Sequence, residues 1–214
     1  MKLEMNRAGS NIWITSDTHY NHKNICRGVS EWGGNGKNTR DFLTLEKMND
    51  AIVSNINAVV RPEDILIHLG DWSFGGIENV SKFRERIACE NIHLVLGNHD
   101  HHIKRNTDNL QSLFASVSRI LDIEVVINNS AKQKFTMCHF PICSWEDMNK
   151  GVIHLHGHVH LPMNKRLHAG KSMDVGVDGN NLHPHNMFDI ISIMSKQPIA
   201  TTALSQDHHL EEVR

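Results

Sequence analysis

Short apolar runs recur along the chain, and most of them end in a cluster of polar side chains. The runs NIWIT, DILIHL, NIHLVL, KFTMC and GVIHLH are five or six residues long and contain many β-branched or aromatic residues. Runs of this length and composition are typical of buried β-strands. Two later runs, SMDVGV and FDIISIM, have the same character and predict two further strands.

Between the first strands, apolar residues repeat at helical spacing. The segment 44–60 predicts a long helix that stops before Pro62, and its apolar stripe consists of Leu45, Met48, Ile52, Ile56 and Val59. A shorter helix is predicted over 80–89, with Ser81 as its N-cap, and a third over 109–117. Strands that alternate with helices indicate parallel βαβ units, whereas the second half of the chain is mostly strands. We therefore expect an α/β fold whose later strands extend or oppose the first sheet.

Length and composition predict one domain. The chain has 214 residues, enough for a substantial core. We predict a single domain over residues 1–195 and a peripheral tail over 196–214, where apolar periodicity is weak. The Gly-rich segment 26–40 predicts a loop. No apolar run approaches the length of a membrane span, and the first residues lack an apolar signal segment, so we expect no membrane partner and a cytoplasmic location.

Charge and rare residue types narrow the chemistry. The net charge of −2 gives no general attraction to nucleic acids, so we do not expect an extended DNA or RNA partner. Cys26, Cys89, Cys138 and Cys143 form no C-x-x-C pair and predict buried thiols rather than a disulfide framework. The chain has 17 histidines, and histidine is the commonest metal ligand in proteins. The composition therefore favours metal chemistry.

Side chains that can bind metal follow the predicted strands. Because the carboxyl ends of parallel strands open onto one crevice, we expect these side chains to converge. The candidate ligands are Asp17, His19, Asp71, Asn98, His139, His158 and His160. Such a set of nitrogen and oxygen ligands, without a thiolate, suits Mn²⁺, Fe, Zn²⁺ or Ni²⁺ better than Cu(I) or a structural zinc.

The spacing of histidines in GVIHLHGHVH has a specific interpretation. Alternate histidines of a strand lie on one face, and four of them suggest a single four-histidine site. Gly157 interrupts the pattern, however. We therefore assign His154 and His156 to the strand, as core or supporting residues, and His158 and His160 to the turn that follows.

The strand-end clusters, in their order along the chain, resemble the calcineurin-like metallophosphoesterase superfamily. Its hallmark is D-x-H, then G-D, then G-N-H-D/E, then a lone histidine, then G-H-x-H. This chain has DTH at 17–19, GD at 70–71, GNHD at 97–100, His139, and GHVH at 157–160. The longer contexts are similar to a compact bacterial and phage branch of the superfamily. The resemblance covers about residues 12–160.

The resemblance implies a β-sandwich of two mixed sheets flanked by helices, with a pair of divalent transition-metal ions, manganese foremost. It implies one ion held by Asp17, His19, Asp71 and His160, and a second held by Asp71, Asn98, His139 and His158. A metal-activated hydroxide would then attack the phosphorus atom without a covalent intermediate. His99 would protonate the leaving group, and Asp100 would either orient His99 or cap a following helix.

The substrate is predicted less sharply than the site. The short chain has no large cap domain, so we expect metals open to small phosphodiesters of nucleotide type, including cyclic nucleotides. There are two alternatives: phosphomonoester hydrolysis by the same site, and a non-catalytic metal-binding scaffold. His22 and Arg40 are candidate substrate contacts, although a surface histidine and a solvated loop cation are the simpler interpretations. Trp32 could stack on a base or act as a packing anchor, and Asp178 fits a turn beside Gly179.

Overall fold

The computed structural model describes residues 1–5, 11–32, 39–128, 131–162, 164–167 and 170–199. Ten strands form two five-stranded sheets. The strands are β1 (Lys2–Met5), β2 (Ile12–Thr15), β3 (Ile65–His68), β4 (Asn91–Val95), β5 (Ser116–Ser118), β6 (Ile120–Ile127), β7 (Ala131–Cys138), β8 (Ile153–His156), β9 (Ser172–Asp174) and β10 (His185–Asn186). The helices are α1 (Leu45–Val59), α2 (Ile77–Arg86), α3 (His101–Lys104) and α4 (Met187–Ser195).

Both sheets are mixed. Sheet I has the order β10-β2-β3-β4-β5, in which only the β10–β2 pair is antiparallel. Sheet II has the order β1-β6-β7-β8-β9, in which only the β6–β7 pair is antiparallel. The two sheets flanked by helices confirm the predicted α/β sandwich.

The strands of sheet I are apolar on both faces because each face covers a different core. Ile67 of β3 and Val95 of β4 pack with Phe135 of β7 in the core between the two sheets. Leu66 and Leu94, one position earlier on the same strands, pack in the second core with residues of α1 and α2. Side chains alternate across a strand, so a central strand with two covered faces is a continuous apolar run.

The long helix is confirmed. α1 begins at Leu45 after Thr44, whose hydroxyl oxygen accepts a hydrogen bond from the backbone N–H of Lys47. α2 begins at Ile77, three positions before the predicted start, so Ser81 lies inside the helix and is not its N-cap. Helix boundaries depend on capping contacts that the apolar stripe does not report.

Two predicted elements are wrong. The segment 109–117 is not an α-helix: Thr107–Leu113 forms a 3-10 helix with left-handed backbone angles at Asp108 and Asn109, and β5 begins at Ser116. The run FDIISIM is helix α4, capped by the Asn186 side chain, rather than a strand. A short apolar run fits a buried helix and a buried strand equally well. Strands β1, β5, β6 and β10 are not among the predicted ones.

Other expectations have mixed outcomes. Cys26, Cys89 and Cys138 are free and buried as predicted, whereas Cys143 is free and exposed. Within the described ranges, no helix combines the length and apolarity needed to cross a bilayer. Most of the predicted tail, residues 200–214, lies outside the described residues, as do positions 33–38 of the predicted loop. The domain boundary and the cytoplasmic location stay predictions.

Candidate metal centre

The loops that follow β2, β3, β7 and β8 meet at one edge of the sandwich. The backbone N–H of Asp17 donates to the Gly70 carbonyl at 2.9 Å, which joins the loops after β2 and β3. The N–H of Gly157 donates to the His139 carbonyl at 2.9 Å, which joins the loops after β8 and β7. The two sheets are linked here as well, because the N–H of His158 donates to the Asp17 carboxylate at 3.0 Å.

Two glycines permit this close approach. Gly70 has a φ of +98°, and a Cβ there would lie 2.5 Å from the backbone nitrogen of Gly97. A Cβ on Gly157 would lie 2.1 Å from Ser16 Oγ and 2.3 Å from Asp17 Oδ2. Contacts this short would push the neighbouring atoms away, so the G-D and G-H-x-H motifs need glycine for steric reasons.

The candidate ligands have unusual backbone conformations. Five of the seven have a positive φ: Asp17 (56°), His19 (47°), Asp71 (56°), His158 (72°) and His160 (51°). Positive φ is uncommon outside glycine because the Cβ approaches the backbone. Such angles persist where the surrounding structure imposes them, and they cluster at functional sites.

Asp71 lies between two groups of ligand side chains. Its Oδ2 atom is 3.5 Å from Nε2 of His19 on one side and 3.4 Å from Nε2 of His139 on the other. Asp17 and His160 extend the His19 side, where His160 Nε2 is 3.7 Å from Asp17 Oδ1. The Asp71 carboxylate therefore lies where one oxygen can serve two cations.

Backbone and side-chain acceptors fix the tautomers of two histidines. His139 Nδ1 lies 2.8 Å from the Leu69 carbonyl oxygen, which can only accept, so Nδ1 donates. His160 Nδ1 lies 2.6 Å from the Asp178 carboxylate and donates to it. In both neutral rings the Nε2 lone pair therefore faces the cluster, which is the arrangement that supports metal-bound histidines.

The chemistry of these donor atoms fits a divalent cation. Ligand atoms of Asp17, His19 and His160 lie within 4.8 Å of one another, as do those of Asp17, Asp71 and His139. Carboxylate oxygens and imidazole lone pairs repel at this distance unless a cation or a proton lies between them. The Nδ1 atom of His19 is also buried without a hydrogen-bond partner in the described structure. The set contains no sulfur, which suits metals that prefer nitrogen and oxygen.

Burial and charge shift the pKa values of these groups. Burial raises the pKa of Asp17 to about 6 and lowers that of His19 well below its usual value. Burial also raises the pKa of Asp71, but the hydrogen bond and charge of His139, with the charge of His19, outweigh it, and the pKa is lowered. Asp71 is therefore held as a carboxylate with its charge turned towards the histidines on either side.

His68 shapes the turn that carries Asp71. The ring is fully buried, and Nδ1 accepts a hydrogen bond from the Gly70 N–H at 3.2 Å. Nε2 must then carry the proton, which it donates to Thr18 Oγ1 at 2.8 Å. Burial lowers the pKa of His68 to about 3, so the ring stays neutral. Its structural role agrees with its place among the core residues of β3.

Asn98 and His158 lie at the open end of the cluster. Asn98 Oδ1 is 2.9 Å from His139 Nε2, and the ring centroids of His158 and His139 are 5.1 Å apart. Both residues are exposed, unlike Asp17, His19 and Asp71. All seven candidate ligands thus converge on one site, and the exposed end opens it to solvent.

His99 lies beside Asp71, whereas the Asp100 side chain points elsewhere. His99 Nε2 is 4.0 Å from Asp71 Oδ2, and the His99 ring is 5.3 Å from that of His19. The Asp100 carboxylate accepts hydrogen bonds from the backbone N–H groups of Gly97, Asp71 and Trp72. In the described structure it neither bonds to the His99 ring nor caps α3. Asp100 instead ties the loop after β3 to the loop after β4 and so positions Asp71.

Comparison with known proteins decides the family. The model of the calcineurin-like phosphoesterase family matches residues 10–191. The chain belongs to this family. An uncharacterized protein of Methanocaldococcus jannaschii is 28% identical over 196 residues, which are 89% of this chain and 95% of the relative. The Gene 66 protein of Mycobacterium phage L5 is 26% identical over 210 residues, 86% of this chain and 95% of the phage protein.

One solved structure supports the fold. The protein of unknown function AQ665 from Aquifex aeolicus superposes with a TM-score of 0.62 at 20% identity, and the alignment covers 86% of this chain and all of that chain. The match of the family model confirms the resemblance of the motifs. As a calcineurin-like phosphoesterase, the chain has the family's hydrolase character towards phosphate esters and its dependence on divalent metal ions.

The phosphoesterase site contains a residue that sequence reasoning assigned to a turn. Asp178 accepts from His160 Nδ1 and also from Arg40, whose Nε and Nη2 atoms lie 2.7 and 3.0 Å from its two oxygens. The other Arg40 bonds reach the carbonyl oxygens of Asp17 and Thr18, both at 2.7 Å. Arg40 is therefore not a solvated loop cation. Only the D-G dipeptide marks Asp178 in the sequence, and that pattern indicates a turn.

His22 borders the cluster. Its ring is 5.4 Å from the ring of His19 and 4.0 Å from that of Phe74, and Nδ1 accepts from the Ile25 N–H at 3.2 Å. The side chain is largely buried rather than on the surface. Contact of His22 and Arg40 with substrate stays a prediction.

Proposed function

We propose that this protein is a binuclear metal-dependent phosphodiesterase that hydrolyses small phosphodiesters of nucleotide type, cyclic nucleotides among them. The observation that carries the proposal is the position of Asp71, whose Oδ2 atom lies 3.5 Å and 3.4 Å from histidines of two separate ligand groups. A bridging carboxylate between two ligand groups is the arrangement of two-metal hydrolases.

The ligands divide between two ions. Asp17, His19, Asp71 and His160 would hold the first, and Asp71, Asn98, His139 and His158 the second. Manganese is our first choice, with iron, zinc or nickel as alternatives, because every ligand atom is nitrogen or oxygen. When bound, such a pair supplies the attacking hydroxide and neutralises charge on the phosphoryl oxygens.

The protein's own residues position the reacting groups. The backbone N–H of His99 donates to Asp71 Oδ1 at 2.9 Å. This bond holds the His99 ring beside Asp71, which would bind both ions. The His99 side chain is 37% exposed, so a leaving group at the cluster could reach it. His99 would donate a proton to the departing alkoxide. Asp100 would affect His99 only by holding the loop that contains both residues.

The open end of the cluster favours a small diester over other substrates. Asn98 and His158 are exposed at that end. A diester has two substituents on phosphorus, and an open site accommodates both. A monoester fits the same ligands and stays the alternative.

The proposal is tested by metal-dependent hydrolysis. We expect bis-p-nitrophenyl phosphate to be hydrolysed faster than p-nitrophenyl phosphate in Mn²⁺. Asp71→Asn should lose both activity and metal content, measured by mass spectrometry of the purified protein. Asp50→Asn is the matched control, because Asp50 pairs with Arg86 on the surface, away from the cluster. Wild-type protein that is inactive with Mn²⁺, Fe²⁺, Ni²⁺ and Zn²⁺ would favour the scaffold alternative.

A further inference from the structure

Exposed aromatic side chains concentrate around the metal cluster. Among the described residues, three large aromatic side chains are exposed: Trp32 (50%), Phe74 (39%) and Phe140 (45%). Trp32 and Phe74 contact the His22 ring, with centroid distances of 5.8 and 4.0 Å, and Phe140 contacts His158 at 4.8 Å. Single exposed apolar residues need no explanation, but three at the rim of one polar site indicate recognition of an apolar or aromatic ligand.

Trp32 lines a groove that leads to the cluster. The groove has a volume of about 550 Å³, and its lining includes Trp32, Val159, His160, Arg40 and Asp178. This volume lies within the range of small-molecule sites in proteins. Because His160 belongs to both the groove and the ligand set, a phosphoester at the cluster would extend its substituent along the groove.

The charges of the groove suit an uncharged substituent. Arg40 makes four hydrogen bonds, two to the Asp178 carboxylate and two to backbone carbonyls, out of five N–H groups. Its positive charge is balanced by Asp178, and little of its donor capacity is left for a second phosphate. Of the other lining residues that the structure describes, Ile25, Trp32 and Val159 are apolar and Thr39 is polar but uncharged. The groove therefore fits a flat, neutral group better than an anionic one.

We propose that this groove binds the nucleobase of a nucleotide ester and that Trp32 stacks on the base while the phosphate lies at the metal cluster. The inference rests on the proposed function, which places the phosphate there. Every base has a π-face, so stacking on tryptophan recognises nucleotides as a class without selecting one base. Trp32 would thus make the affinity for nucleotide esters higher than that for sugar phosphates of equal charge.

The ligands AMP and ribose 5-phosphate test this inference, because they share the ribose and the phosphate, and ribose 5-phosphate has a hydroxyl group where AMP has its base. Their dissociation constants would be measured by titration calorimetry in Mn²⁺ for the wild type, Trp32→Ala, Trp32→Phe and Leu43→Ala. Leu43 is an exposed apolar residue outside the groove lining, and its variant is the control. We expect Trp32→Ala to weaken AMP at least about fivefold and to leave ribose 5-phosphate unchanged. Trp32→Phe should restore most of the affinity, and Leu43→Ala should match the wild type.

Three results would overturn the inference: AMP bound no more tightly than ribose 5-phosphate by the wild type, AMP affinity unchanged in Trp32→Ala, or an equal loss for both ligands. If either ligand is hydrolysed, its KM gives the same comparison. These results can be distinguished from failure of the proposed function. A wild type that binds AMP through Trp32 yet hydrolyses no phosphate ester would retain the base site and lack the proposed activity.

Discussion

Replacing Asp178 by asparagine tests the support that the protein gives to one candidate metal ligand, His160. The carboxylate accepts from His160 Nδ1 at 2.6 Å and from two Arg40 nitrogens at 2.7 and 3.0 Å. All of these partners are donors. Asparagine keeps the size of the side chain but replaces one acceptor oxygen with an NH₂ donor. One of the two partners would therefore face a donor instead of an acceptor.

The expected effects follow from these contacts. Loss of the carboxylate behind a metal-bound histidine weakens metal binding by about 10- to 100-fold. Breaking the pair with the buried Arg40 costs about 3 kcal/mol, the lower end for a buried ion pair, because the backbone carbonyl partners remain. Asp50→Asn breaks the exposed pair with Arg86 and should cost less than about 1 kcal/mol, without any change in metal affinity.

Calorimetric titration of metal-free protein with Mn²⁺ measures the first effect, and urea unfolding of the same samples measures the second. We expect one of two binding steps to weaken in Asp178→Asn and the other to stay near the wild-type value. Wild-type affinity at both steps, with reduced stability, would refute the supporting role and leave Asp178 as a structural partner of Arg40 alone.

Three further predictions test the proposed catalytic role of His99, the close approach at Gly157 and the buried His185. His99→Ala should keep its metal content and lose about 10²- to 10⁴-fold in kcat on a diester; unchanged turnover would exclude His99 as the acid. Gly157→Ala should weaken Mn²⁺ binding more than about tenfold, because its Cβ would lie 2.3 Å from Asp17 Oδ2. In Gly76→Ala the new Cβ would meet nothing within 4 Å, so that variant should keep its metal affinity and lose only stability, because the φ of +116° is strained for alanine. Burial lowers the pKa of His185 to about 4. In the unfolded chain this histidine is protonated near pH 6.5, and in the folded protein only near pH 4. The free energy of unfolding should therefore fall by about 3 kcal/mol as the pH is lowered from 6.5 to 4. If the urea midpoint changes with pH equally in the wild type and in His185→Gln, the prediction is contradicted.

Local sequence patterns predict the parts of this protein that depend on neighbours along the chain. The helix from Leu45 was predictable because its stripe spans four turns and a threonine caps it. The strands β2, β3, β4, β7 and β8 were predictable because apolar runs end at polar clusters. Where the signal was short, as in FDIISIM, periodicity could not separate helix α4 from a strand.

The candidate ligands could be named before the fold was known because each sits in a motif at a strand end. The reason is chemical: tight turns need glycine, and metals need carboxylate and imidazole groups. Asp178 and Arg40 show the limit of this approach. They are 138 positions apart, and no pattern near either residue indicates the other.

By itself, the sequence determined five of the strands, the long helix and the candidate metal ligands, because strand periodicity and ligand chemistry are local properties. The two mixed sheets followed from the resemblance of its motifs to the family. The tertiary structure decided which side chains support those candidate ligands. The Asp100 carboxylate accepts hydrogen bonds from three backbone N–H groups and not from His99. The Asp178 carboxylate binds both His160 and Arg40. The tertiary structure also placed Trp32 on a groove beside the cluster. These contacts depend on how distant loops pack together at the edge of the sandwich, and loop packing leaves no periodic trace in the chain.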